Sequence, residues 1–121
     1  MELNLKDKVA LVTGGSRGIG AAICRGLAAE GVRVGVNYST SGDEANEVVA
    51  GIQRDFGIEA LALRGNLEDP AEIARIFDVL EQTWGTVDIL VNNAAFCPGG
   101  PLESYTIEVW EKTFRVNVTG C

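Results

Sequence analysis

Histidine is absent from the 121-residue chain, which also holds only three cysteines, Cys24, Cys97 and Cys121. Without histidine, and with the cysteines far apart, neither a zinc site nor any other metal site is expected. Three widely separated cysteines are typical of reduced thiols that act as small apolar side chains. Such thiols predict a cytoplasmic location.

Positive charge is also scarce, since 10 lysines and arginines stand against 17 aspartates and glutamates, for a net charge of −7. A chain this acidic is not expected to bind nucleic acid or an anionic membrane surface. No apolar run is long enough to predict a transmembrane span, and the polar first residues predict no signal peptide. The apolar content of 46% is typical of one globular domain over residues 1–121.

Strand and helix patterns alternate along the chain. Apolar runs predict strands at 8–13, 32–37, 58–63 and 87–91, and helical spacing predicts helices at 18–30, 42–56, 70–84 and from 106. Ser41 and Glu44 have the spacing of a capping box at the start of the second helix. This alternation implies parallel strands covered by helices. The predicted fold is α/β, a Rossmann-type doubly wound parallel sheet or its first half, with about four strands.

A glycine-rich segment, TGGSRGIG at residues 13–20, lies between the first strand and the first helix. Glycines at 14, 18 and 20 let the backbone turn sharply and let a pyrophosphate approach closely. The helix that follows directs its unpaired N–H groups at the anion. The segment therefore predicts a dinucleotide-binding turn. Its predicted cofactor-binding residues are Thr13, Gly14, Ser16, Arg17, Gly18, Ile19 and Gly20.

The end of the second strand bears on the choice of cofactor. Sites for NAD place a carboxylate there, but this chain has Asn37, Tyr38 and Ser39, with no acid before residue 43. Serine hydroxyls and the Arg17 guanidinium could instead bind a 2′-phosphate. We therefore expect NADP(H) rather than NAD(H), with these residues at the site. Arg17 could also be a solvated loop charge, and Ser41 only a helix cap.

These features resemble the classical short-chain dehydrogenases/reductases over essentially the whole chain. The family motifs T-G-x-x-x-G-x-G, N-N-A-G and V-N-x-x-G match, in order, Thr13 to Gly20, Asn92 to Ala95 with alanine in the last place, and Val116 to Gly120. Three motifs in the right order are far more specific than one. Within the family, the resemblance is to β-ketoacyl carrier-protein reductases and related NADPH-dependent carbonyl reductases.

The resemblance also implies that Asn66, Leu67, Asn93, Ala94 and Ala95 bind the cofactor. Two of these residues depart from the family pattern. Asn66 stands where the family usually has an aspartate whose carboxylate meets the adenine ring, so the charge is lost. Ala95 replaces a glycine, and a positive φ at this position would strain the backbone.

The catalytic residues that the resemblance implies are mostly missing. The family uses a Tyr-x-x-x-Lys pair, a serine and an asparagine; here Gly42 follows Tyr38 at that spacing and Val109 follows Tyr105. Only the asparagine is matched, as Asn117, and it could be purely structural. We therefore expect the cofactor-binding half of an NADP(H)-dependent carbonyl or 3-oxoacyl reductase, cut within its last helix. Alone it would not turn over the small carbonyl or alcohol substrates of that family.

Two other functions remain open at this point. One is a non-catalytic NADP-binding module or partner subunit, and the other is a folded remnant or interaction protein without a cofactor. The fourth predicted strand would also lie at a sheet edge, which is a template for pairing with another chain. We therefore expect self-association, or binding of a complementing chain, through this edge and the helix that starts near 106.

Overall fold

The computed structural model describes residues 2–121, in which four strands alternate with four α-helices. The elements are β1 (Val9–Val12), α1 (Gly18–Ala29), β2 (Arg33–Tyr38), α2 (Gly42–Phe56), β3 (Ala60–Arg64), α3 (Pro70–Trp84), β4 (Ile89–Val91) and α4 (Ile107–Phe114). A 3-10 turn, Leu102–Ser104, precedes α4, and a π-helical segment, Arg115–Thr119, continues it. Within residues 2–121, no helix has both the length and the apolar character that crossing a membrane requires.

All four strands are parallel, in the order β3-β2-β1-β4. Leu11 in β1 pairs with Gly35 on one side and with Leu90 on the other. The chain thus builds outward from β1 to β3 and then crosses back to place β4 on the opposite side of β1. Beyond the carboxyl ends of β1 and β4 lies the point where ligands bind in folds of this class. The predicted doubly wound α/β architecture is confirmed.

Helices cover both faces of the sheet because side chains alternate between the faces along each strand. On one face, Ala10 and Val12 of β1 lie in a core with Cys24 of α1 and Ile52 of α2. On the other, Leu11 packs with the side chains of β3 and α3. The residues of β1 and the central residues of β2 are buried, as expected for the inner strands of a sheet covered on both faces, whereas Arg64 at the end of β3 and Leu90 in β4 are exposed.

The predicted strand starts and the predicted capping box are wrong. The third and fourth strands begin at Ala60 and Ile89 rather than at residues 58 and 87. Just before β4, the Asp88 carboxylate accepts the Val9 N–H and the Asp88 N–H donates to the Val9 carbonyl, each at 2.9 Å. The capping box is also absent. Ser41 has φ −94° and ψ 55°, and its side chain makes no capping bond to α2. Glu44 instead faces Arg17, with 3.6 Å between Oε2 and Nε.

Only one cysteine behaves as a small apolar core residue. Cys24 is buried, and its burial raises the pKa of its thiol to about 12. Cys97 and Cys121 are exposed, so the expectation of three apolar thiols is wrong for two of them. The anticipated strain at Ala95 does not arise either, because the positive φ values outside glycine within residues 2–121 belong to Asn4 and Asp7.

Candidate nucleotide-binding site

A crevice of about 480 Å³ opens at the carboxyl end of the sheet. Most of the predicted cofactor-binding residues line it: Gly14, Ser16, Arg17, Asn37, Tyr38, Ser39, Asn66, Leu67, Asn93, Ala94 and Ala95. They come from four separate loops, which the sheet order brings together. Its lining includes the Arg17 guanidinium and the hydroxyls of the segment after β2, beside polar and apolar groups from the other loops.

The glycine turn forms one wall of the crevice. Gly14 has φ +61°, and a Cβ there would lie 2.9 Å from Ala94 Cα, so only glycine fits between the two loops. Gly20 is equally confined, since a Cβ would meet the Gly14 carbonyl oxygen and would lie 2.6 Å from Asn93 Nδ2. The glycines therefore serve first to let the turn pack against the loop after β4.

Thr13 and Asn93 join these two loops. The Thr13 hydroxyl accepts the N–H groups of Asn93 and Ala94, each at 3.0 Å, and donates to the Val91 carbonyl at 3.3 Å. The Asn93 amide donates to the carbonyls of Thr13 at 3.1 Å and Gly14 at 3.0 Å. Each side chain thus satisfies backbone groups of the opposite loop, which fixes the crevice at the switch point between β1 and β4.

Asn37 has the corresponding role between β1, β2 and β3. It is 2% exposed. Its amide donates to the carbonyls of Leu63 and Gly65 at 3.1 and 3.2 Å, and its Oδ1 accepts the Gly14 N–H at 3.3 Å. A buried amide with all these bonds made is a positioning group. Any contact it makes with a ligand is therefore secondary to holding the turn.

One part of the crevice is formed by the glycine turn and the segment that leads into α2. Arg17 lines it together with the hydroxyl-bearing residues Ser39, Thr40 and Ser41. The Arg17 side chain is 69% exposed and pairs with Glu44 of α2. The acidic residue among those that line the crevice is Glu68, which belongs to the loop after β3. The donor set is suited to a phosphate monoester, because a guanidinium and hydroxyls both donate to phosphate oxygens.

An ion-pair cluster holds the loop after β3, which also lines the crevice. Glu68 lies 3.1 Å from Arg115 and 3.8 Å from Lys112, so its carboxylate ties this loop to α4 and to the π-helical segment. Its backbone N–H donates to the Asn66 Oδ1 at 2.9 Å, which orients the Asn66 amide. The Lys112 ammonium also lies 4.5 Å from the ring centre of Phe96. Asn66 therefore has an anionic neighbour although it carries no charge itself.

Asn117 lies in the π-helical segment and acts on the loop after β4. Its Oδ1 accepts the Phe96 N–H at 2.8 Å, and its Nδ2 donates to the Phe96 carbonyl at 3.0 Å. Both the oxygen and the nitrogen of the Asn117 side chain are therefore hydrogen-bonded to the backbone of Phe96. Phe96 itself lines the crevice, so Asn117 positions part of the wall.

Some predicted residues do not line the crevice. These are Thr13 and Gly20, which lie behind its wall, Gly18, which has φ +53° and open space around it, and Ile19, which is 74% exposed. Sequence reasoning missed several lining residues: Thr40, Gly65, Glu68, Phe96, Lys112 and Val116. Glu68 could have been found from its closeness to Asn66 in the chain. Lys112 of α4 and Val116 of the segment after it belong to no recognisable motif, and they reach the crevice only through tertiary packing. No group of three or more potential metal ligands occurs in the part of the chain from residue 2 onward.

A family model, sequence relatives and solved structures all match this chain to the same group of proteins. The family model for short chain dehydrogenase matches residues 8–121. An L-rhamnose 1-dehydrogenase (NADP(+)) from Thermoplasma acidophilum is 38% identical over 116 residues, which cover 96% of this chain and 45% of that protein. A short chain dehydrogenase from Burkholderia cenocepacia, solved in complex with NADP, is 43% identical with a TM-score of 0.91, over 96% of this chain and 47% of that one.

A second solved structure is similar at lower identity. It is the L-sorbose reductase from Gluconobacter frateurii complexed with NADPH and L-sorbose, with a TM-score of 0.92 and 28% identity over 99% of this chain and 45% of that one. The chain thus spans less than half the length of each of these proteins. The matched region includes the whole crevice. From the fold, the motifs and these matches, the chain belongs to the short-chain dehydrogenase family.

Proposed function

We propose that residues 1–121 are the NADP(H)-binding half of a short-chain oxidoreductase of the carbonyl-reductase type. The observation that carries the proposal is the crevice itself, which gathers the predicted residues at the switch point of the sheet. Its residues fit a dinucleotide. The glycine turn presents backbone to one side, and Arg17 with the adjacent hydroxyls suits the 2′-phosphate that distinguishes NADP(H) from NAD(H).

Bound NADP(H) would supply the hydride of the family reaction. The chain's own residues would bind and orient the cofactor. Asn66 and Leu67 would contact the adenine ring, next to the 2′-phosphate of the same nucleoside, and Asn93 to Ala95 would contact the cofactor from the loop after β4. The similar proteins solved with NADP and NADPH support this choice of cofactor.

We also propose a cytoplasmic location, because the three cysteines are free thiols.

The test is thermal unfolding of the chain with NADPH and, separately, with NADH. A ligand at about one hundred times its dissociation constant should add about 2.7 kcal/mol to the free energy of unfolding. We expect a shift with NADPH that exceeds the shift with NADH. Arg17→Gln should remove most of this difference. Arg54→Gln, which removes the same charge at the far end of α2, should retain it. Absence of a shift with either cofactor would refute the proposal.

We further propose that residues 1–121 alone do not reduce a carbonyl. The sequence holds no Tyr-x-x-x-Lys pair to protonate the developing alkoxide, and Asn117 is bonded to Phe96. The assay is NADPH oxidation with a β-ketoacyl thioester, the substrate that the family resemblance favours, and with a simple ketone. Steady turnover by this chain alone would contradict the proposal. Cofactor binding without turnover agrees with it.

The edge of the sheet supports a proposal about association. β4 is the outer strand next to β1, and Leu90 on it is 46% exposed. α4 and its extension expose Trp110, Phe114 and Val118 by 54%, 49% and 61%. We propose that a second copy of this chain covers these surfaces, because an uncovered apolar edge templates pairing. We expect the sedimentation coefficient to rise with protein concentration and Leu90→Lys to weaken this association. A chain that sediments as a monomer at every concentration would refute the proposal.

A further inference from the structure

The Arg17 guanidinium also forms an ion pair with a carboxylate. Its Nε lies 3.6 Å from Oε2 of Glu44, and the two side chains are 69% and 48% exposed. Arg17 lines the crevice, but Glu44 stands outside it, in the first turn of α2. The cation best placed for a phosphate therefore already has a carboxylate partner, although this carboxylate is not among the residues that line the crevice.

A phosphate at Arg17 would be affected by this carboxylate in two ways. It would compete with Glu44 for the guanidinium donors, and it would lie close enough to Glu44 for the two anions to repel each other. Neither effect acts on NAD(H), which has a ribose hydroxyl in place of the 2′-phosphate. A single carboxylate outside the crevice can thus change the affinity for one cofactor and leave the other unchanged.

We propose that Glu44 is a specificity-determining residue that reduces the preference of this site for NADP(H) over NAD(H). The inference rests on the proposed function, since it presumes that the 2′-phosphate binds at Arg17. Glu44 sets the strength of that interaction by drawing the guanidinium toward α2. Because the pair is exposed, its influence is moderate: Glu44 adjusts the cofactor preference and does not reverse it.

A purely structural role for Glu44 makes different predictions. An acid in the first turn of a helix stabilises the helix, and Asp43 shares that position. The capping-box role is excluded because Ser41 makes no capping bond. If Glu44 served only the helix, its removal would lower the stability of the fold and would affect both cofactors equally. The ratio of the affinities for NADPH and NADH therefore distinguishes a specificity role of Glu44 from a purely structural one.

The experiment measures dissociation constants of NADPH and NADH by calorimetry for the wild type and Glu44→Gln. We expect the variant to bind NADPH about two- to fivefold more tightly, with NADH unchanged. The gain should shrink in about 1 M salt, where the screening length falls to about 3 Å. Adenosine 2′,5′-bisphosphate and adenosine 5′-monophosphate are the matching probes without the nicotinamide, and only the former should gain affinity.

Two controls remove the same charge from the same helix. Glu47→Gln lies one turn farther along α2 and should not change the ratio, and Asp43→Asn tests the helix terminus without the Arg17 contact. An unchanged or weaker affinity of Glu44→Gln for NADPH overturns the inference, as does an equal gain in Glu47→Gln. If the wild type binds neither cofactor, the proposed function fails together with the inference. If it binds NADPH and the ratio is unaffected, only the inference fails.

Discussion

Gly20 offers a sharp test of how the crevice is built. It is the third residue of α1, where alanine would ordinarily favour the helix by about 1 kcal/mol. Here a Cβ would meet the Gly14 carbonyl oxygen and would lie 2.6 Å from Asn93 Nδ2. These two atoms are partners in the hydrogen bond that joins the glycine turn to the loop after β4. The new methyl group would therefore wedge the two loops apart.

The expected cost of Gly20→Ala follows from three contributions. Overpacking of a tight contact costs about 1–3 kcal/mol. Loss of the two Asn93 amide bonds adds about 1 kcal/mol each. The helix propensity of alanine returns about 1 kcal/mol. We expect the free energy of unfolding to fall by about 2–4 kcal/mol, and the stabilisation by NADPH to be lost with the geometry of the turn.

Gly26→Ala is the matched control, because Gly26 lies in the same helix and a Cβ there meets nothing within 4 Å. It should stabilise the chain by about 1 kcal/mol. Urea unfolding followed by circular dichroism measures both variants. Gly20→Ala should lower the free energy of unfolding and Gly26→Ala should raise it, although both replace glycine by alanine in the same helix. If Gly20→Ala unfolds at the same urea concentration as the wild type or higher, the close approach deduced for the turn is refuted.

Three further predictions concern other parts of the fold. Thr13→Val should lose about 1–3 kcal/mol of stability in urea unfolding, because two loop N–H groups lose their acceptor, whereas Thr13→Ser should stay near the wild type. A thiol reagent at about pH 8 should label Cys97 and Cys121 quickly and Cys24 only after unfolding, since burial raises the Cys24 pKa to about 12. Labelling of all three in the native chain would contradict this. Hydrogen bonds from two arginines lower the pKa of Asp55 from 3.8 to about 2, so Asp55→Asn should be less stable than the wild type at neutral pH. This difference should vanish as the pH falls from about 4 towards 2 in acid titrations of both proteins.

The helices and the order of elements could be predicted from the sequence because each depends on local signals. The second helix runs from Gly42 to Phe56 as predicted, although its capping box is absent, and Gly57 closes it in the left-handed conformation. The start of α3 was equally clear, since Asp69 caps it and Pro70 stands at its first position. Such signals lie within a few residues of one another, so no tertiary contact is needed to recognise them.

The failures of the sequence-based prediction share a different cause. Ser41 and Glu44 are the correct residue types for a capping box, but Glu44 instead forms an ion pair with Arg17 of the glycine turn. Asp88, which was predicted to lie within the fourth strand, precedes it, and its carboxylate accepts the Val9 N–H. In both cases a side chain contacts a residue far away in the sequence. The lining of the crevice by Lys112 and Val116 was missed for the same reason.

The motif residues and the specificity residues of this site follow different physical rules. Thr13, Asn37 and Asn93 bond the backbone of the crevice itself, and Thr13 and Asn37 are buried, so their polar groups need these partners. A change at any of them should damage the fold, which leaves them little freedom to adapt to a ligand. Arg17 and Glu44 are exposed and form an ion pair with each other. Such side chains can change at small cost in stability, so the choice between two cofactors can shift while the motif that identifies the family stays the same.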